Sequence, residues 1–218
     1  MRFLLLIAVI VLSSCNAQQP EVLDSRLRVS GLSFDYTSES SVQPRLPKDL
    51  ANLTYETQVI GYGVNGKVTS TTRQTPTYAL PINDGYLLGG DRGEWGGELV
   101  FRRPDGSTEV LLNENVQGIF QTSIGIVVFT GLAHMGINDG AIYLVNNGND
   151  VKITSSLLHK LPGSPSDIYF THTQELVFRV VSGRFKTEDS ISRPILDCYV
   201  LSTTGSTRQI PCASVVKA

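Results

Sequence analysis

From residue 55 onward the apolar positions fall in short runs broken by glycine, asparagine and aspartate, and one layout recurs. TQVIGYGVNGKVTSTT, ELVFRRPDGSTEVLL, AIYLVNNGNDVKIT and DCYVLSTTGSTRQI each read as an apolar strand, a turn and a second strand. Their turn glycines, Gly66, Gly106, Gly148 and Gly205, stand roughly 40 residues apart at first and further apart at the last step, a period suited to a repeated supersecondary unit. Between them lie further strand pairs: YALPI with GYLLGG, GIFQT with GIVVFTG, and DIYF with ELVFRVV. Each unit therefore supplies about four short antiparallel strands.

The strands are not simply amphipathic. Leu99-Val100-Phe101, Ile126-Val127-Val128-Phe129 and Leu176-Val177-Phe178 are continuous apolar runs. A strand alternates its side chains between two faces, so such a run needs cover on both. Glycines bracket the runs and β-branched residues fill them, which favours strand over helix. Three units are expected, at about 78–112, 119–154 and 168–212. A fourth needs the hairpin at 57–72 together with earlier strands near Leu27 to Phe34. The expected fold is all-β, with repeated short antiparallel strands in a propeller-like arrangement. A two-layer β-sandwich is the alternative, because turn chemistry converges easily.

The N-terminus follows another rule. Arg2 precedes an apolar core from Phe3 to Leu12, and small residues follow it, as in a secretory leader. That core is shorter than the ~20 apolar residues a membrane-spanning helix needs. Leu12-Ser13-Ser14-Cys15 resembles the lipobox of bacterial lipoproteins. The resemblance covers the leader only. It implies a diacylglyceryl group on the Cys15 thiol, cleavage just before Cys15, and acylation of the new amino terminus. Asn16 in place of aspartate after the cysteine implies onward transport to the outer membrane in Gram-negative members of that family. Ordinary cleavage after Ala17 is the competing reading. The expected organisation is a signal peptide over 1–14, an N-terminal tether with an early strand over 15–47, and a β-repeat domain over 48–218.

Composition adds limits. Twenty glycines and ten prolines suit strands and turns, and a net charge of −2 with no basic block gives no sign of a nucleic-acid partner, so none is expected. With Cys15 assigned to lipid, Cys198 and Cys212 remain, and an oxidising compartment favours their pairing. Both lie seven residues from Gly205, so a hairpin centred there sets them opposite one another, with Val200 facing Ile210.

Chemistry is sparsely marked. GYGVNG places Gly61, Gly63 and Gly66 as G-x-G-x-x-G, but KVTSTT behind it is a strand sequence rather than a phosphate-binding helix. Asn65-Gly66 is read there as a hairpin turn. INDG, at Ile82–Gly85 and Ile137–Gly140, is read as a turn twice. His134, His159 and His172 show no metal-ligand spacing, so no metal and no cofactor is expected. No nucleophile elbow is present, and no catalytic residue is assigned. The best local candidate for a binding loop is DRGEWGGE, with Asp91, Glu94 and Glu98 around the only tryptophan, Trp95. The polar stretches HKLPGSPSD and SGRFKTEDSISRP, the latter with Arg184, Lys186, Glu188 and Asp189, are read as extended loops. The expected function is a binding or scaffolding module, joined to the membrane by its lipid anchor, for an envelope protein or glycan. The alternative is an exported hydrolase using carboxylates or a dispersed Ser/His/Asp triad.

Overall fold

The structure is a computed structural model that describes residues 53–63, 66–82, 85–147, 152–188 and 191–212. Cys15, the leader, the tether, the early strand near Leu27 to Phe34 and the turn glycine Gly148 lie outside the described residues. Among the described residues no helix is long and apolar enough to cross a membrane.

Among the described residues the chain is all-β, with fourteen strands in four antiparallel sheets. Strands β1 (Tyr55–Gly63) and β2 (Gly66–Gln74) form a hairpin. The next four are β3 (Tyr78–Ile82), β4 (Gly85–Gly89), β5 (Leu99–Arg102) and β6 (Thr108–Leu112). A second set follows: β7 (Val116–Thr122), β8 (Gly125–His134), β9 (Ile137–Asn146) and β10 (Thr154–Leu161). The last set is β11 (Pro165–Phe170), β12 (Leu176–Glu188), β13 (Ile191–Leu201) and β14 (Thr207–Ile210). Each set of four is a meander in which every strand pairs with the next in sequence. None of the sheets closes on itself.

The sheets stack face to face, and the continuous apolar runs show how. In β8, Ile126 and Val128 face a cluster with Leu87, Leu99 and Phe101 of the preceding sheet. Val127 and Phe129, one residue out of phase, face Leu176, Phe178 and Leu201 of the following sheet. In β5, Leu99 and Phe101 pack toward β7–β10, and Val100 packs toward Tyr55, Ala79 and Leu88. In β12, Leu176 and Phe178 face the middle sheet, while Val177 lies with Cys198 and Val200 on the opposite side. The two-residue period of the strand thus divides each run between two cores. Phe129 meets Phe178 edge-on with ring centroids 4.9 Å apart, and Phe120 meets Phe170 edge-on at 5.8 Å.

Cys198 and Cys212 form a disulfide with a Cα–Cα distance of 5.1 Å. They are not the opposed pair expected. Cys198 faces Ile210 and Val200 faces Arg208, so the hairpin is centred one residue earlier. The reason is the turn. Ser202 N–H donates to the Ser206 carbonyl and Gly205 N–H to the Ser202 carbonyl, which places Gly205 third in a three-residue loop. Cys212 therefore lies just past the end of β14 and reaches its partner diagonally. Closing this loop contributes about 3 kcal/mol in the chain-entropy model.

Other turn assignments shift likewise. Gly63 faces Gly66 as the last pair of the first hairpin, so Gly66 belongs to β2, while Asn65 lies outside the described residues. The second INDG is strand, not turn, because Met135 (φ 43°) and Gly136 (φ 89°) already make the reversal and pair His134 with Ile137. Within the stretch SGRFKTEDSISRP, residues 182–188 and 191–194 are not loop but the paired outer parts of β12 and β13, with a register break between Val181 and Phe185. HKLPGSPSD is split between the end of β10, a short connection and the start of β11.

Candidate functional site

The connection between β4 and β5, residues 90–98, is a clip with a rigid base and an exposed tip. At the base, Gly90 N–H donates to the Glu98 carbonyl and Val116 N–H to the Gly90 carbonyl, both in good geometry at 2.8 and 3.0 Å. A Cβ on Gly97 would stand 2.3 Å from the Gly90 carbonyl oxygen, so only glycine lets the two sides of the clip approach this closely. At the tip, residues Gly93–Trp95 make one turn of 3-10 helix. Asp91 Oδ1 accepts from Gly93 N–H, and Asn115 braces the turn from the neighbouring connection. Its Nδ2 donates to the Gly93 carbonyl and its Oδ1 accepts from Arg92 N–H.

Beneath the tip lies a buried ionic cluster. Glu98 is only 4% exposed and accepts from the Arg92 guanidinium through both carboxylate oxygens. The Tyr55 hydroxyl donates to one of those oxygens, and the Thr57 hydroxyl to the other at 3.0 Å. Burial alone would raise the Glu98 pKa, but the hydrogen bonds from Arg92, Tyr55 and Thr57 outweigh it and hold the carboxyl below its ordinary value. Burial and the adjacent carboxylate push the Tyr55 hydroxyl up, so it stays a donor. A general acid requires the opposite displacement of a carboxyl group. Glu98 is thus built to hold a charge, tying β1 and the clip to one sheet.

The four residues singled out in the sequence accordingly separate. Glu98 is interior. Asp91 is exposed and also accepts from Gln117 Nε2. Glu94 pairs with His134 at the end of β8, with Oε2 and Nε2 2.8 Å apart. Trp95 is 80% exposed. The Glu94–His134 contact sets the tip of the clip against the end of the β8–β9 hairpin. There Met135 is 90% exposed and Ile137 is 56% exposed.

This surface exists because the strands differ in length. β8 and β9 have ten residues each, against five in β4 and four in β5. The hairpin overhangs the neighbouring sheet, and Leu132 and His134 continue the face that Ile126 and Val128 bury. Met135, Ile137, Arg92 and Asn115 were not picked out from the sequence, and His134 was considered there only for metal-ligand spacing. The signal available was HMGI, an apolar residue on each side of a glycine reversal where polar residues are usual.

Elsewhere several titratable groups are occupied by structural contacts. His159 Nε2 lies 2.7 Å from the Gly205 carbonyl oxygen, and Glu114 accepts from the hydroxyls of Thr130 and Tyr143. Burial and Glu114 push Tyr143 up to about 12. Arg184 pairs with Asp197, Lys186 and Glu188 fall in β12, and Asp189 lies outside the described residues. A shallow hollow lined by Gln121, Ile124, Leu144, Asn146 and Ser156 carries no charged side chain. Among the described residues no three His, Cys, Asp or Glu side chains converge as metal ligands. The chain matches no protein-family model, no curated protein sequence and no solved structure.

Proposed function

We propose that this is a lipid-anchored cell-envelope protein, attached at the outer membrane through Cys15, whose β domain is a binding or scaffolding module for a protein or glycan partner. Trp95 carries the reading. A large aromatic side chain stands 80% exposed on a turn that buried ionic and amide contacts hold rigid. An exposed indole on a mobile loop would say little. One fixed in place presents apolar area at low entropic cost, as binding anchors do.

The anchor is supported by the leader alone. Each buried methylene contributes roughly 0.8 kcal/mol, and the two chains of a diacylglyceryl group suffice for stable attachment. The propeller-like arrangement is supported by three consecutive four-stranded meanders stacked face to face. A two-layer sandwich gives each sheet one covered face, whereas β7–β10 has apolar residues packed on both. The β1–β2 hairpin precedes the three meanders in sequence, and its Tyr55 packs with Ala79, Leu88 and Val100 of the first.

Two substitutions test this. Cys15→Ser is expected to abolish metabolic fatty-acid labelling and to release the protein from membranes; labelling that persists would show the attachment lies elsewhere. In affinity capture from envelope extract, Trp95→Ala is expected to lose what the natural sequence retains. Equal recovery by both baits would remove Trp95 from the binding surface.

A further inference from the structure

We infer that the ledge made by the end of the β8–β9 hairpin and the Gly93–Trp95 turn docks a partner protein through a basic, amphipathic segment of that partner. This rests on the reading of the domain as a binding module, and it chooses protein over glycan.

The apolar part of the ledge is Trp95, Met135 and Ile137, three large side chains left in water at one end of the stack. Tryptophan is enriched among residues that dominate protein interfaces, and methionine adapts its shape to apolar partners. A sugar-binding surface sets polar groups around its aromatic platform to hold hydroxyls. Met135 and Ile137 offer none.

Charge around the ledge leans negative. Asp91 and Glu94 are exposed beside Trp95, Glu94 in contact with His134 at 2.8 Å, and Asp139, two residues along β9 from Ile137 and on the same face, has a side chain 69% exposed. Lys160 approaches Asp139 only to 3.6 Å, and the nearby Arg92 is committed to Glu98 below the surface. The excess is negative, so the complementary surface is apolar flanked by lysine or arginine. An anionic membrane surface is disfavoured by the same charges. Because the Arg92–Glu98 and Asn115 contacts fix the turn beforehand, little is lost in ordering it on binding.

Trp95 is the only tryptophan in the chain and reports on the ledge directly. The experiment follows its emission in the purified full chain, alone and with phosphatidylcholine vesicles, during titration with an alternating lysine–leucine peptide. A glutamate–leucine peptide and a chitin oligosaccharide are the comparison ligands. A saturable blue shift with the lysine–leucine peptide, weakened by salt, is expected. Met135→Ser and Ile137→Ser, both at exposed positions, should each weaken it about tenfold or more, equivalent to about 1.4 kcal/mol, with the melting temperature unchanged. Asp139→Asn should weaken it less and reduce the salt dependence. No response, an equal response to the acidic peptide, or a response to the oligosaccharide alone would overturn the proposal. So would a blue shift caused by vesicles without peptide, since the occupant would then be a membrane. The outcome is independent of Cys15: membrane retention of Cys15→Ser would defeat the anchor and leave the ledge standing.

Discussion

Glu98 shows how a single charge can be placed for structure. Its carboxylate sits out of water with four hydrogen bonds, from Arg92 twice, Tyr55 and Thr57. Removing one member of such a cluster strands the others, which costs about 3 kcal/mol when the partner is mostly buried. Glu98→Gln is therefore expected to lower unfolding free energy by about that amount near neutral pH. The pH dependence has a definite sign. A carboxyl whose pKa is depressed on folding binds protons less tightly in the folded state. Its contribution is fully present above the unfolded value, about 4.3, and is lost as pH falls through the folded value. Urea titrations of both proteins should converge in acid, and a gap that stayed constant with pH would show that the charge contributes nothing. Little of this was legible in DRGEWGGE. Three acids around a tryptophan look alike on paper, and Tyr55 and Thr57 lie about forty residues upstream. The cue that existed was position, since Glu98 directly precedes the doubly covered run Leu99-Val100-Phe101 and Tyr55 and Thr57 alternate on one face of β1.

Among elements, the turns carried most of the information and also produced most of the errors. RPDGS, THTQE and STTGS share one three-residue hairpin: the first N–H donates to the fifth carbonyl and the fourth N–H to the first carbonyl. The fourth residue is left-handed in each, Gly106 at φ 89°, Gln174 at 62° and Gly205 at 86°. Two glycines announced themselves in the sequence, whereas the glutamine did not, because nothing local distinguishes it. A side chain in that region costs about 1–2 kcal/mol, partly offset in a glycine variant by the freedom glycine adds to the unfolded chain. Gln174→Gly is therefore expected to stabilise the protein by about 1 kcal/mol, read as a higher urea midpoint, while Gln174→Ala should give no gain. A glycine variant no more stable than the natural chain would place the strain elsewhere. The same turn geometry explains the misplaced register at Cys198. Symmetry about a glycine is a poor guide when the glycine occupies one end of the loop rather than its centre.

On the scale of the whole molecule, the continuous apolar runs were legible because stacking demands them. A strand with one wet face alternates, and a strand between two sheets cannot. That argument located β5, β8 and β12 in advance, but it could not say which neighbour each half-run would meet, since either phase satisfies the pattern. The resolved phase has a consequence for cooperativity. The middle sheet β7–β10 contributes Val128 to one core and Phe129 to the other, so loss of either core exposes part of it. Phe178→Ala removes a fully buried ring that touches Phe129 across the sheets and stacks on Tyr199 within its own. The cavity is expected to cost about 3–5 kcal/mol. If the stacked sheets unfold as one unit, native-state hydrogen exchange should accelerate in β7–β10 and β11–β14 together, by the same free energy. If each meander were an independent folding unit, amides of β8 and β9 would keep their protection while β12 and β13 lost theirs. The aromatic contacts Phe120–Phe170 and Phe129–Phe178 cross the boundary between the two sheets, which is why joint acceleration is the expected result.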